Sequence, residues 1–148
     1  NDKMQVLKMR NHSEIRKWMN NKKKISKKDH LEFIKNLEFN IEKRFFLVKH
    51  KNTIIGSINF SKINFNNYVE LGIYSNPFLR LKGSGKILEW VACQYAYLEL
   101  NVKKIDLQVL ASNKRAIKFY NNCGFKLRYI AKNNILYMQK ELLAECVE

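Results

Sequence analysis

One junction limits what this chain can become. A short apolar run from Tyr68 to Tyr74 passes through Asn76-Pro77 into Phe78-Leu79-Arg80-Leu81-Lys82-Gly83-Ser84-Gly85-Lys86, and helical periodicity follows at once. A strand, a proline that stops it, two glycines and a helix start predict an α/β unit with an unusual turn at its centre. Glycine at 83 and 85 lets consecutive N–H groups point at one anion, and the following helix adds its positive end. A side chain at either position would block the close approach of a pyrophosphate, and Arg80, Lys82 and Lys86 add mobile positive charge. The segment is not a Walker loop, because no Gly-Lys-Ser/Thr follows, nor a dinucleotide fingerprint, which needs a third glycine. An ordinary strand-to-helix turn is the plainer reading of the same residues.

The rest of the chain arranges itself around that junction. Asp2–Met9 and Ser13–Met19 read as short helices, the second with Ile15, Trp18 and Met19 at helical spacing. Ser26 with Asp29 resembles a capping arrangement before a helix whose apolar face is Leu31, Phe33, Ile34 and Leu37. From Arg44 the period becomes that of strands: Phe45–Val48, a Lys51-Asn52 turn, Ile54 to about Ile63, a polar turn over Asn64–Asn67, then Tyr68–Tyr74. Gly85 opens a long helix to about Leu100 with Ile87, Leu88, Val91, Ala92, Tyr95 and Leu98 as its apolar stripe. Lys104–Leu110 is a strand, Asn113–Asn122 a helix closed by Gly124 in a left-handed cap, and Phe125–Ile130 and Asn134–Lys140 are two closing strands.

Composition narrows the class. The 148 residues suit one domain, spanning 1–148, with one core, and 46% hydrophobic with 28% charged residues is a folded composition. No apolar run approaches the ~20 residues of a membrane span, and no leader is visible. The expectation is a cytoplasmic protein with no membrane partner. Cys93, Cys123 and Cys146 form an odd set without a C-x-x-C pair, which argues against a disulfide framework and against a metal site. The abundance of Lys and Asn fits an AT-rich bacterial genome. A formal charge of +15 leaves three readings open: a solvated basic surface, nucleic-acid binding, or a polyphosphate small molecule.

The residues after Pro77 resemble the cofactor motif of the GNAT superfamily of N-acetyltransferases, an Arg or Gln, two residues, Gly, one residue, then Gly or Ala; here it is Arg80-Leu81-Lys82-Gly83-Ser84-Gly85. A second signature of the superfamily is matched by Asn113, Ala116, Tyr120 and Gly124-Phe125. The resemblance implies a single α/β domain with a mixed, mostly antiparallel sheet flanked by helices. It also implies a splay between the family's fourth and fifth strands, here Tyr68–Tyr74 and Lys104–Leu110. The family's first strand has no counterpart, and the chain starts at Asn1 without an initiator Met, so truncation upstream is the expectation. Within the superfamily the chain is most similar to the N-acetyltransferases of pseudaminic acid biosynthesis, which acetylate a UDP-linked amino-dideoxy sugar destined for flagellin. That likeness rests on Arg10-Asn11-His12, Trp18-Met19, His30-Leu31 with Phe33-Ile34, and Leu71-Gly72-Ile73-Tyr74 with Asn76-Pro77-Phe78-Leu79.

The resemblance assigns acetyl-CoA as cofactor, with Leu71, Gly72, Ile73 and Tyr74 holding the pantetheine arm and Leu81–Lys86 holding the pyrophosphate. Tyr120 is then the general acid for the departing thiolate, with Asn113, Ala116 and Phe119 beside the cofactor. A phenol titrates near ~10 and a free thiol near ~8.5, so Tyr120 stays protonated at neutral pH. The general base stays open: Glu70 first, with His12 and His30 as alternatives, while Gln108 stands where related sugar acetyltransferases can carry Glu. Arg10, His12, His30, Ser57 and Gln108 are the acceptor-side candidates, with Lys22–Lys24 and Phe60 as further ones. Two polyanions, CoA and a nucleotide sugar, would give the positive charge a use without nucleic acid; a homodimer is left open. The alternatives are a relative that acetylates a protein terminus or another small amine, and a non-enzymatic basic nucleic-acid-binding domain.

Overall fold

Alternation of apolar and polar side chains sets the sheet of this protein, whose computed structural model describes residues 1–63 and 67–144. Six strands, β1 (Arg44–His50), β2 (Thr53–Ser61), β3 (Tyr68–Ser75), β4 (Lys104–Leu110), β5 (Lys126–Ile130) and β6 (Ile135–Glu141), lie in the order β1-β2-β3-β4-β6-β5. Only the β3–β4 pairing is parallel; the others are antiparallel. The mixed, mostly antiparallel sheet of the sequence reading is therefore the observed one.

One face of the sheet makes the core. Ile58, Phe60, Val69, Leu71, Ile105 and Met138 are all at most 5% exposed and pack with the helix α4 (Ser84–Leu98). At about 25 cal/mol per Å² of apolar surface, this shared burial is the main force holding helix to sheet. Gly56 marks the closest approach of α4, since a Cβ there would fall 2.6 Å from the Leu88 side chain and 2.4 Å from the Tyr74 carbonyl. Phe60, expected near the acceptor, is thus a core residue on the α4 side. The stripe of α4 is also turned slightly from expectation: Ser84, Leu88, Glu89, Ala92, Cys93 and Ala96 are buried, while Ile87 and Leu98 are exposed.

The other face meets the amino-terminal helices α1 (Asp2–Asn11), α2 (Ser13–Arg16) and α3 (Lys27–Leu37). The capping arrangement of α3 is present: Ser26 Oγ accepts from the Asp29 amide at 3.1 Å and donates to the Asp29 carboxylate at 2.8 Å. The second helix stops at Arg16 rather than Met19, its carboxyl end held by Arg16, whose side chain donates to the carbonyls of Asn11 and Lys22. The fifth helix, α5 (Lys114–Asn122), ends at Gly124 with φ +94°, the left-handed cap expected there. The expected turn at Asn64–Asn67 lies, apart from Asn67, outside the described residues, as does Cys146. No helix among the described residues is long and apolar enough to cross a membrane.

Candidate active site

β3 and β4 pair over Tyr68↔Lys104, Val69↔Ile105 and Glu70↔Asp106, and then part. Beyond that point Leu71, Gly72, Ile73 and Tyr74 keep β2 partners (Phe60, Asn59, Ile58 and Ser57), and β4 keeps β6 along its whole length. The sheet opens as a V with Glu70 at its vertex and a β3 edge that has no neighbouring strand among the described residues. Such an edge takes an extended ligand as an added strand.

At the wide end of the V stands the glycine loop. Asn76 fixes the turn out of β3, donating from Nδ2 to the Ile54 carbonyl at 2.9 Å and accepting from the Phe78 amide at 2.9 Å. Gly83, with φ +83°, is the N-cap of α4 and offers no side chain to its amides. The first turn of the helix therefore presents N–H groups to whatever lies in front of it. Nothing lies within 4 Å of the place a Cβ would occupy at Gly83, so it is the left-handed backbone rather than crowding that favours glycine there. Gly85 has a different reason: a Cβ there would stand 3.2 Å from the Phe119 ring, which packs α5 against the start of α4. Ser84 turns its hydroxyl inward to Ser75 Oγ at 3.0 Å, leaving only its backbone for a ligand. Arg80, Leu81, Lys82 and Lys86 are exposed around this turn.

α5 closes the V from the β4 side. Asn113 Oδ1 accepts from the Ala116 amide at 3.2 Å and caps the helix. Tyr120 sits between Phe119 and Phe125, ring centroids 5.3 and 5.5 Å away. Burial, with the Cys123 thiol and Glu89 carboxylate adding to it, pushes the Tyr120 phenol up to about 12.

The vertex and the α1–α3 side carry the remaining candidates. Glu70 uses both carboxylate oxygens: Gln108 Nε2 donates to one, and Lys62 Nζ lies 2.7 Å from the other. Asn20, after α2, donates to Gln108 Oε1 at 3.4 Å, so a chain of polar contacts crosses from β2 to the amino-terminal helices. Arg10 donates through Nη2 to the Asn21 carbonyl at 3.0 Å, while its Nη1 is buried and has no partner among the described residues. Close to it, burial raises the Tyr74 phenol, an effect the Ser57 hydroxyl and the Arg10 charge partly offset. Ser57 is 4% exposed and lies opposite Tyr74 in the β2–β3 register.

The two histidines are scaffold. His30 is buried and its Nε2 lies 2.7 Å from the Lys3 carbonyl, tying α3 to α1 and leaving nothing for a substrate. His12 caps α2, its Nδ1 accepting from the Glu14 amide at 3.1 Å, and its ring stands edge-on to Phe78 at 5.2 Å. With Nδ1 engaged in the cap, Nε2 is the His12 ring nitrogen left to meet a ligand. Sequence reading passed over Lys62, Asn20 and the Tyr74 side chain. Register alone could have found the first, because Ser61 pairs with Glu70 and Lys62 follows it. Nothing in the local sequence ties Asn20 to Gln108. No cluster of metal-ligating side chains occurs among the described residues.

An unpaired strand edge, an uncapped helix start behind a left-handed glycine, and basic side chains around it fit the pantetheine and pyrophosphate of coenzyme A. Comparison with known proteins agrees. Residues 12–125 match the acetyltransferase (GNAT) family. The acetyltransferase PseH of Campylobacter jejuni is 35% identical over 122 residues, covering 82% of this chain and 75% of that protein. Its crystal structure superposes with a TM-score of 0.71 at 32% identity over 78% of this chain and 79% of that one, and it has also been solved with acetyl coenzyme A. The spermidine N(1)-acetyltransferase of Vibrio cholerae is 32% identical over 92 residues, 62% of this chain and 53% of that protein. The chain therefore belongs to the GNAT family and is an acetyl-CoA-dependent N-acetyltransferase.

Proposed function

We propose that this enzyme acetylates the free amine of a UDP-linked 4-amino-dideoxy sugar, as an N-acetyltransferase of pseudaminic acid biosynthesis in a bacterial cytoplasm. The observation that supports the acceptor class is Arg10, whose buried Nη1 has no partner among the described residues and whose charge is felt by the Tyr74 phenol. A guanidinium nitrogen out of water and unpaired is costly unless a ligand completes it, and a diphosphate oxygen is the natural acceptor. The likeness to the Campylobacter acetyltransferase and the net charge of +15 support the same choice, since a positive surface repels a polycationic acceptor.

Bound acetyl-CoA supplies an acetyl group activated as a thioester. Along Leu71, Gly72, Ile73 and Tyr74, the alternate main-chain groups not paired to β2 would hold its pantetheine arm and polarise the acetyl carbonyl. The amides of Gly83, Ser84, Gly85 and Lys86, with Arg80, Lys82 and the Leu81 backbone, hold the pyrophosphate. Asn113, Ala116 and Phe119 line the α5 side. At the vertex Glu70 accepts the amine's proton once Lys62, whose side chain is half-exposed, moves off its carboxylate; Gln108 fixes the carboxylate's other oxygen. Tyr120 keeps its proton across the working pH range and gives it to the sulfur as the thioester breaks.

The test is thiol release from acetyl-CoA with three acceptors at equal concentration: a UDP-4-amino-dideoxy sugar, spermidine and a peptide with a free amino terminus. The sugar nucleotide is expected to react fastest by an order of magnitude or more. A faster reaction with spermidine or peptide overturns the acceptor while leaving the acetyl transfer intact.

A further inference from the structure

Glu89 breaks the pattern of its helix. It stands in the buried stripe of α4 among Leu88, Ala92 and Cys93, only 8% exposed, where every other large side chain is apolar. Its Oε1 receives Lys140 Nζ from β6 at 2.6 Å and the Cys93 thiol at 3.0 Å. The Lys140 side chain is itself 14% exposed, so both ions are largely out of water. Burying such a pair offers little net stability, because desolvation offsets most of the attraction and two apolar side chains would hold the helix as well. What an ion pair adds is a fixed direction.

That direction leads to the active site. Lys140 Nζ lies 5.8 Å from the centre of the Phe125 ring, which meets the Tyr120 ring edge-on at 5.5 Å. The Phe125 amide also donates to the Tyr120 carbonyl at 3.0 Å. A continuous line of contacts therefore runs from α4 through β6 and the residue before β5 to the phenol on α5.

We propose that Glu89 and Lys140 are positioning residues for Tyr120: the pair fixes Phe125, and Phe125 fixes the phenol ring toward the cleft. The inference rests on Tyr120 being the acid. Neither residue is assigned a contact with substrate or cofactor; the pair acts through the Phe125 ring, with the Glu89 charge also felt by the phenol.

A double-mutant cycle separates this from a merely structural role. Glu89→Met/Lys140→Met replaces the ions with apolar side chains; kcat is expected to fall about tenfold with KM for acetyl-CoA within about twofold. In a Tyr120→Phe background the same two substitutions cause no further fall in kcat, because the proton they aim is gone. Lys140→Arg, which keeps the pair, keeps kcat within about threefold. If the double variant does not fold, Glu89→Gln, which keeps a hydrogen bond to Lys140 and removes the charge, is carried through the same cycle. A full additional loss in the Tyr120→Phe background overturns the inference, as does an unimpaired kcat in the pair variant when Tyr120→Phe is slow. A Tyr120→Phe enzyme as fast as wild type overturns the acid assignment, and this one with it.

Discussion

In the proposed function, the two ends of the cleft meet anions by opposite means. At the α4 end, the groups that face a phosphate belong to the main chain, set by one left-handed residue and an uncapped helix start. At the α1–α3 end, the groups are side chains from distant parts of the chain: Arg10 on α1, Ser57 on β2, Tyr74 on β3. Main-chain donors are pre-set by folding and cannot be exchanged by substitution, so they suit the coenzyme common to a whole family. Side chains can be swapped singly, so they suit the acceptor, which differs from one relative to the next.

Four measurements can break or sharpen that contrast. Gly83→Val, which forces a β-branched residue to φ +83°, should weaken acetyl-CoA binding at least a hundredfold by calorimetry; unchanged affinity would remove the main-chain half of the comparison. Tyr120→Phe should lower kcat about a hundredfold, within the range for general acids, while acetyl-CoA affinity stays within about twofold. Steady-state kinetics showing a KM effect instead would make Tyr120 a binding residue. Arg10→Ala should raise KM for the sugar nucleotide about tenfold and leave KM for acetyl-CoA alone; a loss on both sides would mean that the two ends are not separate.

The smallest effect concerns pH. The Tyr120 phenol is raised in the folded protein to about 12, so its neutral form contributes stability that is fully present below the ordinary phenol range. That contribution is lost as pH climbs from ~10 through the folded value, about 1 kcal/mol by pH ~11. Urea melts of wild type and Tyr120→Phe at pH ~9 and ~11 should diverge by that amount, wild type losing more. Equal losses would place the phenol in contact with solvent.

The same contrast explains what could be read in advance. Strand alternation, the Ser26–Asp29 cap, Gly124 and the loop after Pro77 are local patterns, each set by residues within a few positions of one another, and the structure contains them all. The splay followed from the family resemblance and is present where β3–β4 pairing ends after Glu70. His30 misled because a histidine on a helix has the same spacing whether it faces a substrate or a neighbouring carbonyl; only tertiary packing brings Lys3 to it. Glu70 was legible as a carboxylate on β3, but its partners come from elsewhere, Gln108 from β4 and Lys62 from just past β2. The stripe read for α4 left out Glu89, because its burial and its partner Lys140, 51 residues on, are set by tertiary packing.

Three residue pairs are all that join β3 to β4, so the sheet is two leaves sewn together at one corner. A guest lying along the open seam finishes the fabric, and the free energy of its seating appears as resistance of both leaves to unfolding. Every catalytic round then ends with a strand being drawn out of a sheet. In the proposed function, exchange of the Leu71–Tyr74 amides that are not paired to β2 reports occupancy of the seam, slow when it is filled and fast when it is not.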